Sequence, residues 1–224
     1  MLHTLAALAM TALIHATPRS DPHRHDPHRT LIVHIVHRCA PGANCLPSRI
    51  LAMMKTETER VWSPLDVRIA WIDSSETAAH AAGLTVMIEE GASRDAAAHH
   101  ESVLAALTQP ATTCGWGLAR VWVQHVESHA ALVRRGQHAY AGLPLALADT
   151  FLGRALGRVL AHEIGHYLLG TGEHTPHGLM RAQFTPQDLL EDSSRPLYNL
   201  DARRRAGLKA CRTDQEAAPP VPFS

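Results

Sequence analysis

His162, Glu163 and His166 stand together in the run HEIGH. On an α-helix, two histidines four residues apart lie one turn apart on the same face, so both imidazoles can reach a single cation. Glu163 is turned about 100° from His162. That keeps it out of the ligand set but near a metal-bound water, from which it can take a proton as general base. The chemistry such residues support is hydrolysis at one zinc ion. A catalytic zinc normally takes three protein ligands, leaves the fourth position to water, and lowers the pKa of that water to about 7. The third ligand must come from beyond the helix. His174 is the first candidate, because Gly170 and Gly172 would let the chain reverse and return a side chain to the metal. His177 is the second. Glu173 ranks below both, since the two glycines suggest a sharp turn rather than more helix.

The same residues allow a reading of a different class: a zinc-binding or interaction protein that keeps the scaffold without useful turnover. Glu163 favours the enzyme, because a structural site has no need of a carboxylate that is not a ligand and fills all four positions with side chains. Coordination by His177 as well would close the site and favour the binding protein. Hydrolysis of a small amide or a restricted dipeptide is a third reading, and cleft width decides between it and endopeptidase action.

These residues need a rigid frame. Asp149 can cap a helix over 149–169 whose apolar side carries Leu152, Leu156, Val159, Leu160 and Ile164, and Gly170 can end it. The HEIGH run falls on its last turns. Upstream, LIVHIVH at 31–37 reads as a buried strand. SRILAMMKTETERVW is a helix that opens at Pro47 and Ser48 and stops at Pro64. Further strands are expected at 67–72, 84–89 and 119–126, with an Ala- and His-rich stretch before the last of them. Beyond Met180 come a short helix opening at Thr185 and Pro186 and a final helix over 200–210. The basic run DARRRAGLK is a solvated face to which no partner is assigned.

The chain has 224 residues, 46% apolar and 19% charged, which suits one catalytic domain, here 30–212. Lys plus Arg equals Asp plus Glu at 21 each, so net charge gives no reason to expect nucleic acid or an anionic membrane as partner. With 17 histidines, chance histidine motifs become commoner, and the patterned helix around HEIGH is what lifts it above them. Residues 1–16, MLHTLAALAMTALIHA, hold an apolar run too short to span a bilayer and read as a signal peptide, so a secreted or periplasmic protein without a stable membrane span is expected. Residues 17–29 read as a His-rich linker and 213–224 as a disordered tail. Four cysteines without a CxxC pair favour disulfides in an exported chain, with Cys39–Cys45 and Cys114–Cys211 the preferred pairing of the three possible.

Taken together, HEIGHYLLGTGEHTPHGLM resembles the zinc-binding region of the metzincins, above all the matrixin-like branch. The spacing here is HExxHxxxGxxxH, two residues longer between the second and third histidines than in most metzincins, and similar to a group of bacterial matrixin-like proteins. LARVWVQHVES, LGRVLAHEIGHYLLG and HGLMRA carry the same likeness. The resemblance implies a zincin-like α+β fold: a twisted mixed sheet of about four to five strands over the active-site helix, with a mostly helical C-terminal part. It also implies one catalytic Zn2+ on His162, His166 and His174, Glu163 as the base of a metalloendopeptidase, and Met180 as an apolar floor that does not bind the metal. An extended peptide or protein substrate would pair with an exposed edge strand, formed by TTCGWG at 112–117 or the strand after it; a monomer is expected. Arg181 follows Met180 where some metzincins carry an oxyanion-binding tyrosine, so that role is unassigned, and Tyr167 and Tyr198 read as packing residues. HRCAPGANC lacks the pattern of a cysteine-switch propeptide.

Overall fold

A computed structural model describes residues 29–39, 45–73, 83–90, 103–108, 115–132, 134–135, 138–139, 142–190 and 198–208. The signal-peptide, linker and tail expectations (1–16, 17–29 up to His28, and 213–224) lie outside the described residues, as do Cys114 and Cys211. Cys39 and Cys45 form a disulfide.

The fold is α+β, with a mixed five-stranded sheet. Its strands are β1 (Arg29–Arg38), β2 (Val67–Asp73), β3 (Leu84–Glu89), β4 (Ala105–Thr108) and β5 (Gly117–Trp122), in the order β2-β1-β3-β5-β4. All neighbours are parallel except β4, which runs antiparallel to β5 with Leu107 opposite Ala119. A parallel strand covered on both faces must be apolar nearly throughout, and β3, LTVMIE, is buried at every position. Leu31, Val33 and Ile35 of β1, Leu84, Val86 and Ile88 of β3, and Ala119 and Val121 of β5 share the core face. A two-stranded hairpin, β6 (Arg134–Arg135) with β7 (His138–Ala139), lies outside this sheet.

Two helices fill that face: α1 (Ser48–Trp62) and α3 (Leu145–Leu169). Between them in sequence lies α2 (Val123–Ala131); α4 (Pro186–Leu190) and α5 (Ala202–Gly207) follow. α1 has the expected bounds, and a turn containing Pro64 ends it. No described helix is long and apolar enough to cross a membrane.

The α1–α3 contact depends on small residues. Gly153, Gly157, Ala161 and Gly165 recur every four residues and form one stripe along α3. A Cβ on Gly153 would lie 2.9 Å from the Ile50 carbonyl, and one on Gly157 would lie 2.7 Å from that of Met54. The backbones thus meet where any side chain would collide. Thr58 Oγ1 donates to the Gly157 carbonyl at 3.1 Å, and Trp62 Nε1 donates to that of Ala161 at 3.2 Å. Beside the stripe, fully buried Arg158 donates through Nε to Glu57 at 2.6 Å and through Nη1 to the Asp188 carbonyl at 2.7 Å. Burial opposes ionisation of Glu57, but hydrogen bonds from Arg60 and Arg158 and their charges hold its carboxyl below the ordinary value.

Four expectations change. α3 starts at Leu145, not at residue 149, and Asp149 lies inside it as the partner of Arg49 on α1 rather than as a cap. The strand expected over 119–126 ends at Trp122; Val123, Val126 and Ala130 are the buried side of α2, at spacing a helix makes continuous. β4 falls in the Ala- and His-rich stretch to which no strand was assigned. The final helix is shorter than 200–210, capped by Asp201, which accepts from the Arg204 N–H at 2.8 Å.

Gly157→Ala should lower stability in urea by about 1–3 kcal/mol through overpacking against α1, although alanine gains about 1 kcal/mol at an unobstructed helical position. Gly172→Ala, where no atom lies within 4 Å of the new Cβ, should change it by less than about 0.5 kcal/mol. Equal effects at the two sites would refute the close-approach account.

Candidate metal centre

The two helical histidines are aimed by backbone carbonyls. His162 Nδ1 lies 2.7 Å from the Leu179 carbonyl oxygen, and His166 Nδ1 lies 2.8 Å from that of Thr171. A carbonyl only accepts, so each Nδ1 carries the proton and each neutral ring leaves Nε2 with a bare lone pair. Those Nε2 atoms are 2.9 Å apart, and His174 Nε2 is 3.2 Å from that of His166. His162, His166 and His174 each place one ligand atom within 4.8 Å of the others, a group that could hold a metal ion. Lone pairs of His162 and His166 meeting without a proton between them repel, and a cation placed among them removes the repulsion. Protonation is a poor substitute. Burial is the main cause that drives the His162 imidazole down to about 4, aided by its two neighbouring histidines and opposed by the Leu179 hydrogen bond. Burial likewise lowers His166. The donor set therefore fits a divalent ion that accepts imidazole nitrogen.

His174 reaches the group by a sharp reversal at the end of α3. Gly170 is left-handed, with φ 64°, and its N–H donates to the His166 carbonyl at 2.9 Å. The chain then runs back until the Thr175 N–H donates to the Met180 carbonyl at 2.7 Å, which fixes the residue after His174. The sharp second turn uses Gly178, with φ 81°. Gly172, expected to share the reversal, has no positive φ and open space around it, so only Gly170 of that pair is required. His177 is exposed, lies outside the three-histidine group and lines a pocket of about 370 Å³ with Met180 and Asn199. Glu173 is exposed and also outside the group.

Met180 is buried against Gly165, the residue just before His166, where a Cβ would collide with its sulfur. Phe184 sets its ring edge against His162, centroids 5.5 Å apart. Tyr167 and Tyr198 serve packing. The Tyr167 hydroxyl donates to the Gly115 carbonyl at 2.8 Å, and the Tyr198 hydroxyl donates to that of Asp188 while its ring lies under Arg158. Sequence reasoning missed Phe184 and the carbonyls of Leu179 and Thr171; backbone acceptors leave no trace in residue identity.

Glu163 is buried, and no described residue hydrogen-bonds to it. Desolvation pushes its carboxyl up to about 8. A cation in the adjacent site would favour the charged form and pull that value down again. The site is thus two buried imidazoles, one exposed imidazole and a buried carboxyl without a hydrogen-bond partner among the described residues. No family model and no curated protein sequence matches the chain.

Stability of the chelated, metal-free protein should fall between pH 6.5 and 8. Glu163 holds a proton in the folded state that the unfolded chain releases above its ordinary 4.5, so stability drops as pH rises towards 8. His162 acts oppositely, but its contribution is complete by its ordinary value of 6.5. Thermal unfolding across that window should show the slope in the parent and a flatter one in Glu163→Gln; equal slopes would contradict the assignment.

Proposed function

We propose that this chain is a zinc-dependent metalloendopeptidase, exported and monomeric, in which His162, His166 and His174 hold one zinc ion and Glu163 is the general base. The observation that carries the reading is the convergence of three imidazole nitrogens beside a buried carboxyl that no described residue hydrogen-bonds. Structural zinc sites fill four positions with side chains, whereas the group among the described residues has three histidines and is open to solvent at His174. When bound, zinc supplies Lewis acidity that polarises a carbonyl and makes water acidic near neutrality.

The chain's own residues supply the rest. Glu163 takes the proton from the attacking water onto a carboxylate oxygen and passes it to the nitrogen of the leaving amine. Its burial favours this second step, because a desolvated carboxyl retains the proton until the amine needs it. Leu179 and Thr171 keep the two helical imidazoles in the tautomer that ligates. A mixed five-stranded sheet packed on the HEIGH helix supports the zincin-like reading, as does the reversal that ends at Met180. β5, the strand named with 112–117 as a candidate edge, is paired on both sides, with β3 and β4, so the edge to which an extended peptide would add is instead β4, which ends the sheet and packs near α3. The Cys39–Cys45 disulfide fits an oxidising compartment.

Metal content and cleavage of a mixed peptide library test this together. The parent should hold one zinc per chain and cleave. Glu163→Gln should keep the zinc and lose about 10²–10⁴-fold in rate, and His174→Ala should lose most of the zinc. Cleavage by Glu163→Gln at the parental rate would remove Glu163 as base. Zinc held by a parent that cleaves no library member would leave a zinc-binding protein without turnover.

A further inference from the structure

A second group of ligand atoms lies at the ends of two strands. His37 is on β1, Glu90 follows β3 directly, and Cys39 follows β1. One ligand atom from each of the three lies within 4.8 Å of the others. These are the carboxyl ends of adjacent parallel strands, paired up to Arg38 opposite Glu89. β1 leads to β2 on one side, and the chain then returns to β3 on the other, so the strand order reverses between β1 and β3. In open parallel sheets, the crevice at such a reversal is where ligands bind.

The carboxylate there is already held. Glu90 Oε1 accepts from the Leu46 N–H at 2.5 Å and from His37 Nε2, and the Glu90 N–H donates to the Arg38 carbonyl at 3.1 Å. The His37 and Glu90 side chains are only 21% and 13% exposed, so the pair is shielded from competing water. Cys39 is bonded to Cys45, with Cα atoms 5.3 Å apart, and as a disulfide it offers no thiolate.

We infer that reduction of the Cys39–Cys45 disulfide opens a second metal site, in which Cys39, Cys45, His37 and Glu90 bind a divalent ion of the zinc or cobalt class. An external dithiol gives two electrons and two protons to the S–S bond, which breaks into two thiols as the dithiol closes to its own disulfide. On coordination the two thiols release their protons to solvent, and His37 gives up its contact with Glu90 to present Nε2 to the metal. His37, Cys39 and Glu90 are the three already gathered, and the Cys45 thiol, released from its bond to Cys39, supplies the fourth ligand of a tetrahedral set suited to these ions. Among the described residues, the oxidised chain keeps only His37 and Glu90 of this group as free ligands, so disulfide and metal exclude one another. This inference is independent of the three-histidine centre and of the peptidase reading.

Cobalt(II) provides the test, because a thiolate–cobalt charge-transfer band cannot arise from three imidazoles. The full chain carrying Cys114→Ser and Cys211→Ser would be reduced with a dithiol, desalted without oxygen and titrated with Co²⁺, beside its oxidised form. The band should appear after reduction alone, lose about half its intensity per bound cobalt in Cys39→Ser and in Cys45→Ser, and vanish when both are replaced. Cobalt affinity read from it should fall at least tenfold in His37→Ala and in Glu90→Gln, with circular dichroism showing each variant folded. The inference is overturned if the folded, reduced chain gives no band, or if the band is unaffected by both His37→Ala and Glu90→Gln. Loss of the fold on reduction in the presence of cobalt overturns it as well.

Discussion

Two hydrogen bonds from imidazole Nδ1 atoms to backbone carbonyls set the conditions for everything else at the centre. Each fixes a tautomer, and together they turn two bare Nε2 atoms towards the same point, 2.9 Å apart. Left alone, side chains would rotate out of such an arrangement. They stay because the acceptors belong to rigid turns: Thr171 directly after the left-handed Gly170, and Leu179 directly after the left-handed Gly178. The ligand geometry is thus a property of the chain reversal as much as of the helix.

The helix must in turn be immobile, and its small-residue stripe accounts for that. Glycines at 153 and 157 let α1 approach to backbone contact, which places Trp62 and Met54 in the core beneath the helix. Close-packed interiors transmit displacement rather than absorb it, so α3 has little freedom to slide. Arg158 adds a second restraint. A guanidinium with no exposed surface needs partners, which Arg158 finds through Nε and Nη1 but not, among the described residues, through Nη2, and breaking such a buried pair costs about 3–5 kcal/mol. Here the partners are Glu57 on α1 and the Asp188 carbonyl on α4, so one charge ties three helices together.

Much of this was legible in the residues. Apolar runs rich in β-branched residues marked β1 and β3, paired prolines bounded α1, and the four-residue spacing of His162 and His166 with Gly170 beyond placed two histidines of the group and the helix stop. His174 joined them as expected from its position after that stop. What escaped reading did so for definite reasons. β4 is four residues, two of them alanine, with no apolar alternation to announce it. α2 begins on valines that suit a strand equally well, and only the spacing of Val123, Val126 and Ala130 distinguishes the two. Asp149 has the residue type of a cap, yet it pairs with Arg49 a hundred positions away. The interior pairing of Arg158 with Glu57, a hundred and one positions apart, follows from how α1 and α3 pack and not from either residue's local pattern.

Leu179 connects two regions through a single peptide. Its carbonyl accepts from His162 Nδ1, and its N–H donates at 3.3 Å to the carbonyl of Asn199, which lies after α4. His162, His166 and His174 all leave the ribosome within a short stretch of synthesis, but the group that anchors the Leu179 turn emerges some two dozen residues later. Assembly of the centre is therefore ordered in time. The nascent chain can form the HEIGH helix early, yet the turn that holds the first histidine towards the other two is complete only when the segment containing Asn199 has been made and has packed.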